Sequence, residues 1–253
     1  TYLVRLLQSG LIEKSELEYK YRNDIHANEL VLLAYYVAAI NIEETYHDLS
    51  GSDYIPFDGM VLTDTFQMHE DDDQLDGAGV FAENNDRVVS QKALPIRVII
   101  GNPPYSAWQD SANSDSANAS YPHLDSRITE TYAAESSAQL KNSLYDSYIR
   151  AIRWASDRLQ DEGIICFVTN NGFLDGYTAS GLRKTLLKEF SSVSVMNLRG
   201  NSGIGGEVAR KEGGNVFPIR VGVSILMLVR KRGAPHAQEI SYFSTPDYAS
   251  KDE

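Results

Sequence analysis

Short apolar runs alternate with amphipathic segments along most of the chain, and this pattern predicts alternating strands and helices. The first predicted strand ends near Glu29. The helix predicted after it carries four apolar residues at helical spacing, Leu33, Tyr36, Val37 and Ile40. The run G-M-V-L-T-D-T-F predicts a second strand that ends at Asp64, and R-V-I-I-G predicts a third that leads into Asn102.

The alternation continues through the second half of the chain. An amphipathic helix stopped by Gly163 is predicted by the spacing of Leu140, Leu144, Tyr148, Ile152, Ala155 and Leu159. The further predicted elements are a strand at 164–168, a helix at 179–190, and strands at 193–198, 221–230 and 240–243. Strands that alternate with helices are typical of α/β proteins with a parallel sheet, so we predict that class.

Two polar stretches show no periodicity. Residues 106–137 are rich in Ser, Asn and Ala, and residues 200–218 are rich in Gly. We predict long surface loops there, and because loops of that length are uncommon unless functional or disordered, we place both near the rim of an active site. We treat 1–253 as one catalytic domain.

Composition and charge limit the function classes. The chain has 253 residues, of which 42% are hydrophobic and 23% charged, as in globular proteins. A net charge of −12 argues against non-specific adhesion to nucleic acid, although a local basic site remains compatible with it. No apolar run is long enough to span a bilayer, so we expect no membrane partner. The single cysteine, Cys166, excludes an intrachain disulfide and favours a cytoplasmic protein.

Polar side chains stand at the ends of four predicted strands: Glu29, Asp64, Asn102 and Asn170. Each alone is explained as a helix cap or a turn residue. Because open α/β sheets bind ligands outside the carboxyl ends of their strands, the four together predict a binding rim.

The tetrapeptide N-P-P-Y, residues 102–105, follows the third predicted strand directly. Proline lacks an N–H and has a fixed φ, so Pro103 and Pro104 end the strand and hold Asn102 rigidly. A stiff turn is the ordinary explanation of an Asn-Pro pair. The whole tetrapeptide, however, has a chance frequency on the order of one in a thousand for a chain of this size. It resembles the catalytic motif of amino-methyltransferases that use S-adenosylmethionine.

This resemblance implies catalytic roles for Asn102, Pro103, Pro104 and Tyr105. An amine conjugated to a ring is a poor nucleophile, since its lone pair is delocalised. The amide oxygen of Asn102 and the carbonyl of Pro103 accept hydrogen bonds from the two N–H groups of this amine and direct its lone pair at a methyl sulfonium. This arrangement requires positioning of the amine rather than a base. Tyr105 supplies an aromatic face on which a flipped base stacks.

Two further motifs resemble the cofactor motifs of adenine-N6 DNA methyltransferases, in the same order. In H-A-N-E-L, Glu29 matches the acid that binds the ribose hydroxyls of S-adenosylmethionine, and in L-T-D-T-F, Asp64 matches the acid that contacts its adenine. The resemblance also implies that Asn102 binds the same cofactor. The fold implied is a Rossmann-like class I methyltransferase sheet with flanking helices.

Long blocks narrow the resemblance to type ISP restriction–modification enzymes, in which one polypeptide carries nuclease, helicase-like, methyltransferase and target-recognition parts. The blocks include K-N-S-L-Y-D-S-Y-I-R-A-I-R-W-A-S-D-R, F-V-T-N-N-G-F-L-D-G and R-K-E-G-G-N-V-F. The implied partners are double-stranded DNA, upstream nuclease and helicase parts, and a downstream target-recognition part. The family's Gly-rich turn and first strand should precede Thr1, so we expect a fragment that lacks both and binds the cofactor weakly or not at all.

Other candidates have ordinary explanations beside functional ones. Phe217 resembles the aromatic residue that packs on the other side of the flipped base, but it also fits a core position. Asn170 either lines the pocket or shapes a turn, and Trp108 either stacks on DNA or packs on the domain. Four basic residues either contact DNA phosphates or are solvated surface charges: Arg199, Arg210, Lys211 and Arg220. The five histidines show no metal-ligand spacing, so we expect no metal.

Three functions remain open at this point. The first is adenine-N6 methylation of DNA within a restriction–modification enzyme. The second is methylation of a protein glutamine or an RNA base, which the N-P-P-Y chemistry also serves. The third is a non-catalytic DNA-binding fragment, which the missing Gly-rich turn favours for the isolated chain.

Overall fold

A computed structural model describes residues 1–70, 82–104 and 120–250. Tyr105 and Trp108, both predicted to contact the substrate, lie outside the described residues. The chain, predicted to be one domain, divides into two compact units, Thr1–Leu94 and Pro95–Glu253.

The first unit is built from helices and a small parallel sheet. Its elements are α1 (Tyr2–Gln8), α2 (Leu17–Asn23), β1 (Ala27–Glu29), α3 (Leu32–Ser50), β2 (Met60–Leu62), a 3-10 turn (Gln67–His69) and α4 (Ala82–Ala93). Strands β1 and β2 pair in parallel, with Glu29 opposite Leu62. In the core, the rings of Tyr21 and Tyr46 stack with their centroids 3.9 Å apart. The Tyr21 hydroxyl donates to the carbonyl of Ile55 at 3.1 Å, so its burial leaves no polar atom unsatisfied.

Helix α3 confirms the predicted strand-to-helix unit, but its apolar stripe does not face the core. Leu33 is 74% exposed and Ile40 is 61% exposed, whereas Ile42 and Tyr46 are buried. The residues of α3 that pack on the core cluster include the small side chains Ala38 and Ala39, which permit close approach of the helix. The spacing therefore identified the helix and not its buried side.

The second unit contains a larger sheet. Its strands are β3 (Val98–Gly101), β4 (Gly163–Asn170), β5 (Ser192–Arg199), β6 (Val223–Arg230) and β7 (Ile240–Ser244), in the order β3-β4-β6-β5-β7. Its helices are α5 (Pro122–Ile128), α6 (Ser147–Arg158), α7 (Gly172–Asp175), α8 (Ser180–Glu189) and α9 (Gly206–Glu212). The π-helical turn Thr129–Ala133 and two 3-10 turns, Asn142–Tyr145 and Ser202–Ile204, complete the described elements.

The predicted α/β class is confirmed, but the sheet is mixed rather than parallel. Strand β6 runs antiparallel to both β4 and β5, while the β3–β4 and β5–β7 pairs are parallel. A parallel neighbour requires a connection that crosses a face of the sheet, whereas an antiparallel neighbour can return from the same edge. The segment between β5 and β6 returns in this way, since Arg199 at the end of β5 lies opposite Val223 at the start of β6.

One face of this sheet is tightly packed and the other is open to solvent. On the packed face, residues such as Ile165 and Leu226 are fully buried. On the opposite face, Val98 is 60% exposed and Met227 is 42% exposed. The alternation along each strand follows from the period of two in strand side chains.

Both predicted loops contain helical structure. Within 106–137, α5 and the π-helical turn bury Leu124, Ile128 and Tyr132 completely, at a spacing of four residues, and Pro122 occupies the start of α5. Within 200–218, α9 occupies Gly206–Glu212. In the first stretch the Ser and Asn content concealed this apolar spacing. Helix α9 buries no residue, so no apolar spacing indicated it.

Gly181 in α8 sits where no side chain fits. A β-carbon there would lie 1.9 Å from the carbonyl oxygen of Tyr132 and 2.6 Å from the backbone nitrogen of Ser136. We expect Gly181→Ala to lower the free energy of unfolding by about 1–3 kcal/mol, because backbone must move to admit the methyl group. Urea denaturation measures this, with Ser180→Ala as the control that adds no atom. Equal stability of both variants would contradict the close packing of α8.

Within the part of the chain that the structure describes, no helix is both long and apolar enough to cross a membrane.

Candidate functional site

The two carboxylates predicted to bind a cofactor follow neighbouring parallel strands of the first unit. Glu29 is the last residue of β1, and Asp64 lies two residues beyond the end of β2. Both side chains are half-buried. The carboxylate of Glu29 accepts the N–H of Val31 at 2.9 Å, and that of Asp64 accepts the N–H of Phe66 at 2.9 Å. The first unit therefore brings these two acids to one edge of its sheet and orients each by a backbone donor.

Asn84 also supports this edge, although it was not predicted to be a site residue. Its Oδ1 accepts the N–H of Leu62 at 2.8 Å, and its Nδ2 donates to the carbonyl of Leu62 at 2.9 Å. The Asn84 side chain thus hydrogen-bonds the backbone of Leu62 as a neighbouring strand would. Leu62 is two residues before Asp64, so this contact supports the backbone next to the carboxylate. No pattern in E-N-N-D indicates this role, because the pairing depends on where α4 lies.

In the second unit, Asn102 directly follows β3. Its side chain and Pro104 are exposed, and Pro103 is half-buried. Strand β3 pairs in parallel with β4, with Gly101 opposite Phe167, so Asn102 lies at the carboxyl end of β3, beside the last residues of β4. The structure confirms that β3 ends immediately before N-P-P, as the loss of the proline N–H groups requires.

Asn170 ends β4 at the same edge. Its Oδ1 accepts the N–H of Gly172 at 2.7 Å, which is the contact of a turn residue. The adjacent Asn171 is also structural, since its Nδ2 donates to Oδ1 of Asn197 at 3.0 Å. Its backbone N–H donates to the carbonyl of Gly222 at 3.0 Å, which joins this turn to the segment before β6.

Phe217 belongs to that segment and is half-buried. Because Asn170 lies opposite Val223 in the β4–β6 pair, the start of β6 and the segment before it share the edge that carries Asn102. The second unit thus brings Asn102, Asn170 and Phe217 to one edge of its sheet. The predicted role of each residue stays a prediction.

The basic residues near this edge are partly engaged within the unit. Arg199 has a φ of +59°, which is uncommon for a residue other than glycine. Its guanidinium forms an ion pair with Asp247 and donates to Oγ of Ser244 at 2.9 Å. These contacts give Arg199 a structural role in holding the C-terminal segment. Arg210 pairs with Glu207 at 3.4 Å on the surface.

Among the described residues, no group of three or more His, Cys, Asp or Glu side chains is placed to hold a metal ion. Burial raises the pKa of the Cys166 thiol, which opposes formation of a nucleophilic thiolate at neutral pH.

Comparisons with known proteins show which family this chain resembles. The family described as Eco57I restriction-modification methylase matches residues 12–204. The structure of LlaBIII bound to DNA, described as an ATP-dependent type ISP restriction-modification enzyme, is 42% identical with a TM-score of 0.90 and covers 99% of this chain. A nuclease-deletion mutant of the type ISP enzyme LlaGI in complex with a DNA substrate mimic is also 42% identical, with a TM-score of 0.87 and 99% coverage. The cryo-EM structure of a DrdV–DNA complex is 41% identical over 98% of this chain, with a TM-score of 0.86.

This chain corresponds to a small part of each relative. It covers 17% of the LlaBIII chain, 20% of the LlaGI chain and 24% of the DrdV chain. A search of curated proteins found no match. The resemblance to type ISP enzymes that the sequence motifs predicted is confirmed over nearly the whole chain. Since the family match spans well over half of the sequence, the chain belongs to the Eco57I restriction-modification methylase family.

Proposed function

We propose that this chain is the methyltransferase segment of a DNA restriction–modification enzyme and that it transfers a methyl group to N6 of a flipped adenine. The observation that carries the proposal is the position of Asn102, held by two prolines at the sheet edge that also carries Asn170 and the Phe217 segment. Membership of a methylase family and the DNA-bound state of three relatives support it.

S-adenosylmethionine, when bound, supplies an electrophilic methyl group on its sulfonium. Glu29 and Asp64 fit this cofactor because half-buried carboxylates at strand ends accept hydrogen bonds from hydroxyl and amino groups. We propose that Glu29 binds the ribose hydroxyls of the cofactor and that Asp64 contacts its adenine. The fold proposed for the complete protein is that of class I methyltransferases, in which a Gly-rich turn and first strand outside these 253 residues complete the cofactor site. An in-frame Gly-rich motif upstream of Thr1 in the source DNA is the expected finding, and its absence would contradict this part of the proposal.

In the proposed reaction, the amide oxygen of Asn102 and the carbonyl of Pro103 accept hydrogen bonds from the two N–H groups of the adenine amine. These contacts draw the nitrogen towards a tetrahedral arrangement with its lone pair directed at the methyl group. The nitrogen–carbon bond would form as the carbon–sulfur bond of the sulfonium breaks, which leaves a neutral thioether, and the methylated amine would then release one proton to solvent. The proline pair fixes both acceptors before the substrate arrives, so little reorganisation is needed in the transition state. Tyr105 and Phe217 hold the base between two aromatic faces.

A labelling experiment tests the substrate class. The protein, expressed with its flanking coding sequence, is incubated with methyl-labelled S-adenosylmethionine and a mixture of DNA, RNA and protein. We expect label in DNA alone. Label in protein or RNA would show that protein or RNA, and not DNA, is the substrate. The absence of transfer would favour a non-catalytic DNA-binding segment.

A further inference from the structure

One carboxamide organises the segment between α9 and β6. The two N–H groups of Asn215 Nδ2 are shared among three acceptors, the carbonyls of Gly200, Ile219 and Val221, at 3.0, 3.1 and 2.8 Å. The Oδ1 of Asn215 accepts the backbone N–H of Phe217 at 2.9 Å. Asn215 therefore bonds both to Gly200, just after β5, and to three residues of the segment before β6, Phe217, Ile219 and Val221.

The backbone at Gly200 is shaped to receive Asn215. Gly200 has a φ of +83°, and a β-carbon there would lie 2.7, 2.8 and 2.9 Å from Cα, Cβ and Cγ of Asn215. Real β-carbons do not approach other atoms so closely, so only glycine allows the carboxamide to reach its partners. The N–H of Gly200 in turn donates to the carbonyl of Glu212 at 3.2 Å, at the end of α9.

We propose that Asn215 is a positioning residue that holds Phe217 in place for its contact with the target base. The inference rests on the proposed function, which assigns Phe217 to the base. Phe217 lies on a segment that follows two consecutive glycines, Gly213 and Gly214, and such backbone has many conformations to lose when it binds. The four hydrogen bonds of Asn215 remove much of that freedom before DNA arrives.

The two halves of the carboxamide are separable by substitution. Asn215→Ala removes all four hydrogen bonds. Asn215→Asp keeps an acceptor for the N–H of Phe217 but places carboxylate oxygens against three carbonyls, which it cannot donate to. Asn201 offers a matched control, because its side chain accepts the N–H of Gly203 at 3.0 Å in the same region and does not hold Phe217.

The experiment measures methyl transfer to unmethylated plasmid DNA by the protein with its flanking sequence, for Asn215→Ala, Phe217→Ala, the double variant and Asn201→Ala. We expect Asn215→Ala to lower kcat/KM for DNA by about 10- to 100-fold with KM for S-adenosylmethionine unchanged, as expected for a misplaced contact. The double variant should be no slower than Phe217→Ala, because Asn215 acts through that ring. Asn201→Ala should keep wild-type kinetics.

The possible outcomes separate this inference from the proposed function. If Phe217→Ala slows transfer and Asn215→Ala does not, or if the two effects multiply in the double variant, Asn215 does not position Phe217. If the wild-type protein transfers no methyl group to DNA, the proposed function fails and this inference fails with it. If circular dichroism shows that Asn215→Ala is unfolded, Gly200→Ala provides the second variant, since it displaces Asn215 and keeps its carboxamide; wild-type kinetics in that variant would overturn the inference.

Discussion

Asn102→Ala is expected to slow methyl transfer at saturating cofactor by about 100- to 1,000-fold while the protein keeps its fold. Removal of one preorganised hydrogen-bonding group from the reacting centre has an effect of this size in other enzymes. Asn102 is exposed and stands just after β3, so its loss disturbs no core packing. Initial rates of label transfer to DNA, at saturating cofactor, measure the change.

Asn142→Ala is the matched control, since Asn142 is also an exposed asparagine of the second unit. It should transfer methyl groups at the wild-type rate. A reduction of less than about threefold in Asn102→Ala would show that the amide oxygen does not act on the reacting amine.

Arg153→Ala is expected to lower the free energy of unfolding by about 3–5 kcal/mol, as when one partner of a buried ion pair is removed. The Arg153 side chain is only 1% exposed. Its guanidinium donates to both carboxylate oxygens of Glu189, at 2.9 and 3.0 Å, and to Oδ1 of Asp157 at 2.6 Å. It also lies 5.3 Å from the ring centroid of Tyr132. Without it, two partly buried carboxylates lose a charged partner at once.

The pKa values around this cluster agree with its role. Burial alone would raise the pKa of Asp157, but hydrogen bonds from Arg127 and the charge of Arg153 outweigh it and hold the pKa below its ordinary value. Burial raises the pKa of Tyr132 to about 12, so its hydroxyl stays neutral beside the cluster.

Chemical denaturation followed by circular dichroism measures the loss of stability. The control is Arg210→Ala, because the side chain of Arg210 is 78% exposed and its pair with Glu207 is on the surface. That variant should change the unfolding free energy by less than about 1 kcal/mol. If the two variants were equally stable, the buried cluster would contribute nothing to the fold.

Much of the fold follows from local pattern. The strand at 164–168 was predicted from its apolar run and appears as β4, and the spacing across 179–190 predicted α8. Both elements bury one face, and burial of one face produces a regular spacing of apolar residues that can be read from the sequence.

The remaining features depend on contacts that are distant in sequence. The antiparallel direction of β6 is set by where the chain returns, which hydrophobic spacing does not encode. Arg153 looks like a surface residue in R-A-I-R-W-A until the fold brings Glu189, the last residue of α8, beside it. The same holds for Asn215, whose partner Gly200 is fifteen residues earlier in the chain.

The candidate site was predictable at its chemically distinctive positions. Asn102 and its prolines were selected as candidates because N-P-P-Y is rare and chemically informative. The structure confirms the strand end before them, and their role stays a prediction. Asn84 was missed because a single asparagine in a helix carries no such signal, and its importance comes only from its two bonds to Leu62.

The identity of the methylated product tests the central claim most directly. DNA treated with the protein and methyl-labelled S-adenosylmethionine is digested to nucleosides and analysed by mass spectrometry. The account predicts labelled N6-methyldeoxyadenosine from the wild-type protein and almost none from Asn102→Ala. Label on another base, or equal amounts of N6-methyldeoxyadenosine from both proteins, would contradict it.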